Sequence, residues 1–129
     1  MATLFSKIVS GEIPCHRVAE NSKFLAFLDI QPLTKGHVLV IPKIEIDYIF
    51  DLEDDLLGEM MIFSKHVANK IKSVFPCKKI GITVIGLEVP HAHIHLIPIN
   101  TLSDMNFSLP KLNLTTEELA EIALKIQSV

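Results

Sequence analysis

Three histidines alternate between two prolines in the run Pro90-His91-Ala92-His93-Ile94-His95-Leu96-Ile97-Pro98. On a strand, alternate side chains share a face, so His91, His93 and His95 would point one way and Ala92, Ile94 and Leu96 the other. A purely solvated face is more cheaply made from Thr, Lys or Glu, and this run has none of them. Metal binding is one reading, because an HxH pair on a strand can chelate zinc. Alternate strand residues lie roughly 6.6 Å apart, which separates His91 from His95 by about 13 Å. At most two of the three would reach one ion, and no Cys or His pair elsewhere sits at a matching spacing.

The catalytic reading uses each ring separately. Imidazole attacks phosphorus well and is partly neutral near pH 7. Neighbouring imidazoles resist simultaneous protonation, so one ring stays neutral for attack while another carries a proton. A cationic neighbour could stabilise phosphoryl charge or protonate a leaving group. His93 alone has an imidazole on each side, which marks it as the nucleophile.

The rest of the chain has to position that run. At 129 residues it is expected to fold as one domain, 1–129, with 49% apolar residues to fill a core. A net charge of −3 argues against a nucleic-acid partner, which needs a basic face. The stretch from Met1 to Gly11 does not read as a signal peptide, and no apolar run suits a bilayer span, so a cytoplasmic location without membrane contact is expected. Cys15 and Cys77 frame no disulfide scaffold. Neither a Walker loop nor a GxGxxG motif occurs.

Leu4 to Val9 suits one or two helical turns. Phe24 to Leu28 and His37 to Ile41 read as strands, the second buried on both faces. Asp51 is the expected N-cap of a long helix closed by Pro76, with Leu56, Leu57, Met60, Met61, Ser64, Val67, Ala68 and Ile71 on one stripe. Strands are expected over Lys79 to Ile85 and His91 to Ile99. Thr115 and Glu118 form a capping-box pair before a last helix that buries Leu119, Ile122, Ala123 and Ile126. Short connections favour antiparallel pairing, and the class is α+β.

The run His91-Ala92-His93-Ile94-His95-Leu96-Ile97 resembles the signature of the histidine triad (HIT) family, His-φ-His-φ-His-φ-φ with φ apolar. Leu4 to Val9 with Gly11 to Pro14, Leu25 to Ile30 with Pro32, and Gly36 to Lys43 resemble its opening segment and central strands. The resemblance implies an antiparallel five-stranded half-barrel sheet with one long and one C-terminal helix, paired as a homodimer. It implies a purine nucleotide or nucleoside phosphoramidate as partner and no cofactor. By matching position, His93 would take the nucleotidyl group, His91 and His95 would flank the phosphate, and His37 would support them. Asp29 would hold the ribose, while Phe5, Ile8, Ile13, Phe27 and Ile30 would line the base pocket. Glu88 and Val89 would border the nucleotide just before the triad. Relatives commonly carry Gly-Gln-Ser/Thr-Val where this chain has Gly86-Leu87-Glu88-Val89. Some bear zinc-binding cysteines near the start, and Ser6 occupies one such place.

The resulting expectation is a hydrolase of nucleoside phosphoramidates or related nucleotidyl compounds, acting through a covalent nucleotidyl-His93. The alternatives are a purine-nucleotide-binding module with little turnover and, third, a metal-binding protein using His91, His93 and His95.

Overall fold

The structure is a computed structural model that describes residues 2–129. Its elements are α1 (Leu4–Val9), β1 (Arg17–Glu20), β2 (Phe24–Leu28), β3 (Val38–Pro42), a 3-10 turn (Ile49–Asp51), α2 (Asp54–Val74), β4 (Lys79–Thr83), β5 (Ile94–Ile99), a second 3-10 turn (Leu102–Met105) and α3 (Thr116–Gln127). The five strands form one antiparallel sheet in the order β1-β2-β3-β5-β4. The α+β class with a five-stranded antiparallel sheet is as the sequence implied.

Period-two alternation assigns each strand residue to a face. Phe24, Ala26 and Leu28 of β2, Val38 and Val40 of β3, and Ile94 and Leu96 of β5 pack with Met60, Val67 and Ile71 of α2 and with Leu119, Ile122, Ala123 and Ile126 of α3. Leu25, Phe27, Leu39 and Ile41 meet Phe5 of α1 on the opposite face. The central strands are therefore covered on both sides. Phe24, Ile41, Ile94, Leu96 and Ile97 are almost wholly buried, each worth about 1.5–3 kcal/mol relative to exposure.

Several boundaries differ from the sequence reading. Asp51 closes a 3-10 turn instead of capping α2, which starts at Asp54 after Glu53. Ile49 and Leu52 are both buried, and burying two apolar residues three apart fastens a tight turn there before the helix can begin. The histidine strand starts at Ile94. Before it, His91 N–H bonds to the Val89 carbonyl and Ala92 N–H to the Ile46 carbonyl, so that backbone is engaged by loops and not by the sheet. β4 ends at Thr83, and β1, with its alternation interrupted by a bulge, was not anticipated. On α2, Met60 is buried but Met61 is half exposed. The Thr115–Glu118 capping box is present as expected.

Gly36 turns the chain into β3 at φ 93°, a conformation that favours glycine. A Cβ there would also meet the Phe75 ring at 2.7 Å. His37 follows directly.

Candidate active site

A cavity of about 460 Å³ opens on the face of the sheet that carries α1. Phe5, Ile8, Ile13, Phe27, Asp29, Ile30, Glu88 and Val89 all line it, and so do His93 and His95. Phe5 stands edge-on to Phe27 at 5.6 Å and to His93 at 5.0 Å, so α1 forms an aromatic wall beside the histidines. His93 and His95 lie 5.0 Å apart between ring centres. Neither His37 nor His91 lines the cavity. His37 is buried behind His95, and His91 is wholly buried behind Phe5.

The backbone sets the proton on each ring. Leu33 N–H donates to His37 Nδ1 at 3.0 Å. The neutral ring must then carry its proton on Nε2, which donates to His95 Nδ1 at 2.9 Å. His95 in turn keeps its proton on Nε2. On the other side, His91 Nε2–H donates to the Pro42 carbonyl at 2.8 Å, and His91 Nδ1 accepts from the Thr3 hydroxyl at 3.0 Å. His93 Nδ1–H donates to the His91 carbonyl at 2.7 Å. His93 Nε2 is thus left with its lone pair. The two cavity histidines present opposite faces chemically: His93 a lone pair, His95 an N–H.

Burial pushes the His37 pKa down to about 3 and the His95 pKa down to about 4. Burial also lowers that of His91. The sequence reading allowed a cationic imidazole beside the nucleophile; burial instead keeps His95 and its partner neutral at physiological pH. Asp29 is raised by burial, against the pull of the Gln31 N–H that its Oδ1 accepts at 2.9 Å.

Asp29, His37 and His95 each bring one donor atom within 4.8 Å of the others. A metal there would need the lone pair of His37 Nε2. That atom carries the ring proton, because Leu33 N–H already occupies Nδ1. The donor set therefore does not suit an ion.

Several residues at the site carry no local sequence signal. Thr3 caps α1 through the Ser6 N–H and also holds His91. Its own N–H donates to Glu45 Oε1 at 2.9 Å, and the Ser6 hydroxyl donates to the same carboxylate. Ser6 thus joins a hydrogen-bonded cluster that docks α1 against the histidines. Phe107 stands edge-on to His95 at 4.9 Å and to His37 at 6.2 Å, and Lys111 completes that wall of the cavity. Both come from the segment between β5 and α3. Its one hint is an aromatic and a lysine in a stretch without periodicity.

Residues 10–102 match the model of the HIT domain. The chain belongs to the HIT family. A HIT relative named adenosine 5'-monophosphoramidase, from Schizosaccharomyces pombe, is 33% identical over 99% of this chain and 98% of its own length. An uncharacterized HIT-like protein of Borreliella burgdorferi is 34% identical, covering 95% and 94% of the two chains. Among solved structures, a HIT-like protein involved in cell-cycle regulation from Bartonella henselae superposes with a TM-score of 0.84 at 30% identity, covering 98% of this chain and 95% of the other. Phe107 and Lys111 fall beyond the stretch matched by the HIT domain model.

Proposed function

We propose that this HIT protein hydrolyses nucleoside phosphoramidates or related purine nucleotidyl compounds through a nucleotidyl-His93 intermediate. The observation that carries this reading is the set of hydrogen bonds on the two cavity histidines, from which their proton positions follow. His93 Nε2 has a free lone pair, and His95 beside it keeps an N–H. Nε2 attacks the α-phosphorus, a P–N bond to His93 forms, and the bond to the leaving amine breaks. The amine takes its proton from water in the open cavity. His95 donates a hydrogen bond to a phosphoryl oxygen without surrendering its proton. Water then cleaves the P–N bond to His93 and releases the nucleoside monophosphate. His91 and His37 act from behind, the first through its carbonyl on His93 and the second through its Nε2–H on His95. The name of the S. pombe relative, adenosine 5'-monophosphoramidase, supports this substrate class. The decisive experiment is incubation with an adenosine phosphoramidate: AMP release supports the reading, and its absence in folded protein defeats it.

A nucleotide-binding module with little turnover is the second reading. Leu87 and Glu88, both exposed on the lining of the cavity, favour it, since neither side chain supplies an amide or hydroxyl to a leaving group. Calorimetric binding of AMP without AMP production would select it.

Asp29 is proposed to accept the ribose hydroxyls. Asp29→Ala should lower AMP affinity by about 1.5–3 kcal/mol, the worth of hydrogen bonds to a charged group. The same carboxylate closes a turn on Gln31 N–H. Unchanged affinity with a lowered melting temperature would reduce Asp29 to that turn.

The partner reading is a homodimer. β4 is an edge strand whose Ile82 is exposed, and Met61 and Ile62 are exposed on the neighbouring surface of α2. These residues line a shallow apolar groove with Ile80 and Ala68. An edge strand beside an apolar helix face is a surface that pairing would cover. Light scattering at micromolar concentration should give twice 14.4 kDa. A monomer's mass would overturn it.

A further inference from the structure

The cavity has a conspicuous charge problem. A nucleotide brings at least one negative charge to the phosphorus. Asp29 and Glu88 line the same cavity and bring two carboxylates. His95 and, behind it, His37 are engaged in the chain that starts at Leu33 N–H, and they offer hydrogen bonds without a full positive charge. Among the described residues, Lys111 is the one lysine or arginine that lines the cavity.

Lys111 is placed there by the segment between β5 and α3. Leu112 N–H donates to the Pro32 carbonyl at 2.8 Å, which fastens that segment to the turn following Asp29. Phe107 lies against His95 at 4.9 Å. The Lys111 ammonium sits over the Phe107 ring at 5.7 Å and donates to the Phe107 and Leu109 carbonyls. These are neutral partners. The ammonium thus stands on the His95 side of the cavity with no carboxylate within salt-bridge reach among the described residues.

We propose that Lys111 is the residue that reads the anionic phosphate of the bound nucleotide, and that the segment carrying it is a specificity element of this site. The proposal rests on the nucleotide-binding reading above. It makes the protein discriminate a nucleotide from its nucleoside by a charge delivered from outside the histidine run. The flexible stem can swing the ammonium from two main-chain carbonyls to phosphoryl oxygens, exchanging neutral acceptors for charged ones. A competing use of the same ammonium is to neutralise Asp29, in which case it would serve the ribose end and not the phosphate.

Calorimetric titration of wild type, Lys111→Gln and Lys111→Arg with AMP and with adenosine tests this. AMP affinity is expected to fall about 10-fold or more in Lys111→Gln, the size of a lost charge-assisted contact. Adenosine affinity is expected to stay unchanged, and Lys111→Arg should restore most of the AMP affinity. The AMP advantage over adenosine in wild type should shrink as salt is raised. Equal losses for AMP and adenosine would overturn the proposal in favour of a role at the ribose or in holding the segment. An unchanged AMP affinity in Lys111→Gln would overturn it outright. Wild type that binds neither ligand would instead defeat the nucleotide-binding reading itself.

Discussion

Denaturing mass spectrometry after a brief reaction with adenosine phosphoramidate should show wild-type protein carrying one added adenylyl group, and His93→Ala carrying none. The reason is local and geometric. His93 Nδ1–H is committed to the His91 carbonyl, which leaves Nε2 as an unprotonated nitrogen on a ring that lines the cavity. His95 lines the cavity too, but its Nδ1 lone pair is taken by His37 and its Nε2 carries the proton. Removing His93 deletes the nucleophile, so turnover should fall to background. Replacing His95 removes one hydrogen-bond donor to the phosphoryl oxygens, a loss on the order of 10²–10³-fold. The fold should survive in His93→Ala, because the core of this face is made by Phe5, Leu25, Phe27, Leu39 and Ile41. AMP binding should survive as well. An adduct that persists in His93→Ala, or one that maps to His95, would defeat the assignment.

The second large effect concerns acid. The melting temperature should hold from pH 8 to about 6.5 and then drop steeply towards pH 4. In the unfolded chain a histidine takes up a proton near pH 6.5. In the folded protein burial holds His37 near 3 and His95 near 4. Between those values the unfolded state binds more protons than the folded one, so stability rises with pH and is lost as pH falls. Each unit of difference is worth about 1.4 kcal/mol, which makes the combined loss several kcal/mol, on the order of half the stability of a typical domain. Thermal scans across that range check it. His37→Asn should flatten the curve, since the asparagine amide stands where Nδ1 did, so its carbonyl can still accept from Leu33 N–H but takes up no proton. A melting temperature independent of pH between 6.5 and 4 would show that the two rings are less enclosed than the structure has them.

Much of the architecture was legible in the sequence because it is local. Phe24 to Leu28 and the strand after His37 announce themselves by short apolar runs between turn residues. The Thr115–Glu118 pair marks the start of α3 within four residues. The same local rules misplaced the start of α2, because an acidic residue ahead of an apolar stripe looks alike whether it caps a helix or closes a 3-10 turn. What decided the matter was the burial of Ile49 and Leu52, a tertiary fact. The histidine run was conspicuous for its composition. Its division of labour was not: the His93 proton is set within the run by the His91 carbonyl, but those of the other rings are set from Leu33, Pro42 and Thr3, up to 88 residues away in sequence. Phe107 and Lys111 were invisible for a similar reason: nothing in their own neighbourhood says that the segment folds back over His95.

The amide of Leu33 stands at the head of the His37–His95 chain, and it is a donor in which the leucine side chain has no part. Any amino acid but proline would supply the same N–H at that place. A substitution at position 33 that keeps the path of the main chain would therefore leave the polarity of the relay unchanged. The orientation of this site is inherited through the path of the main chain, and a catalogue of its indispensable side chains would omit the group that sets it.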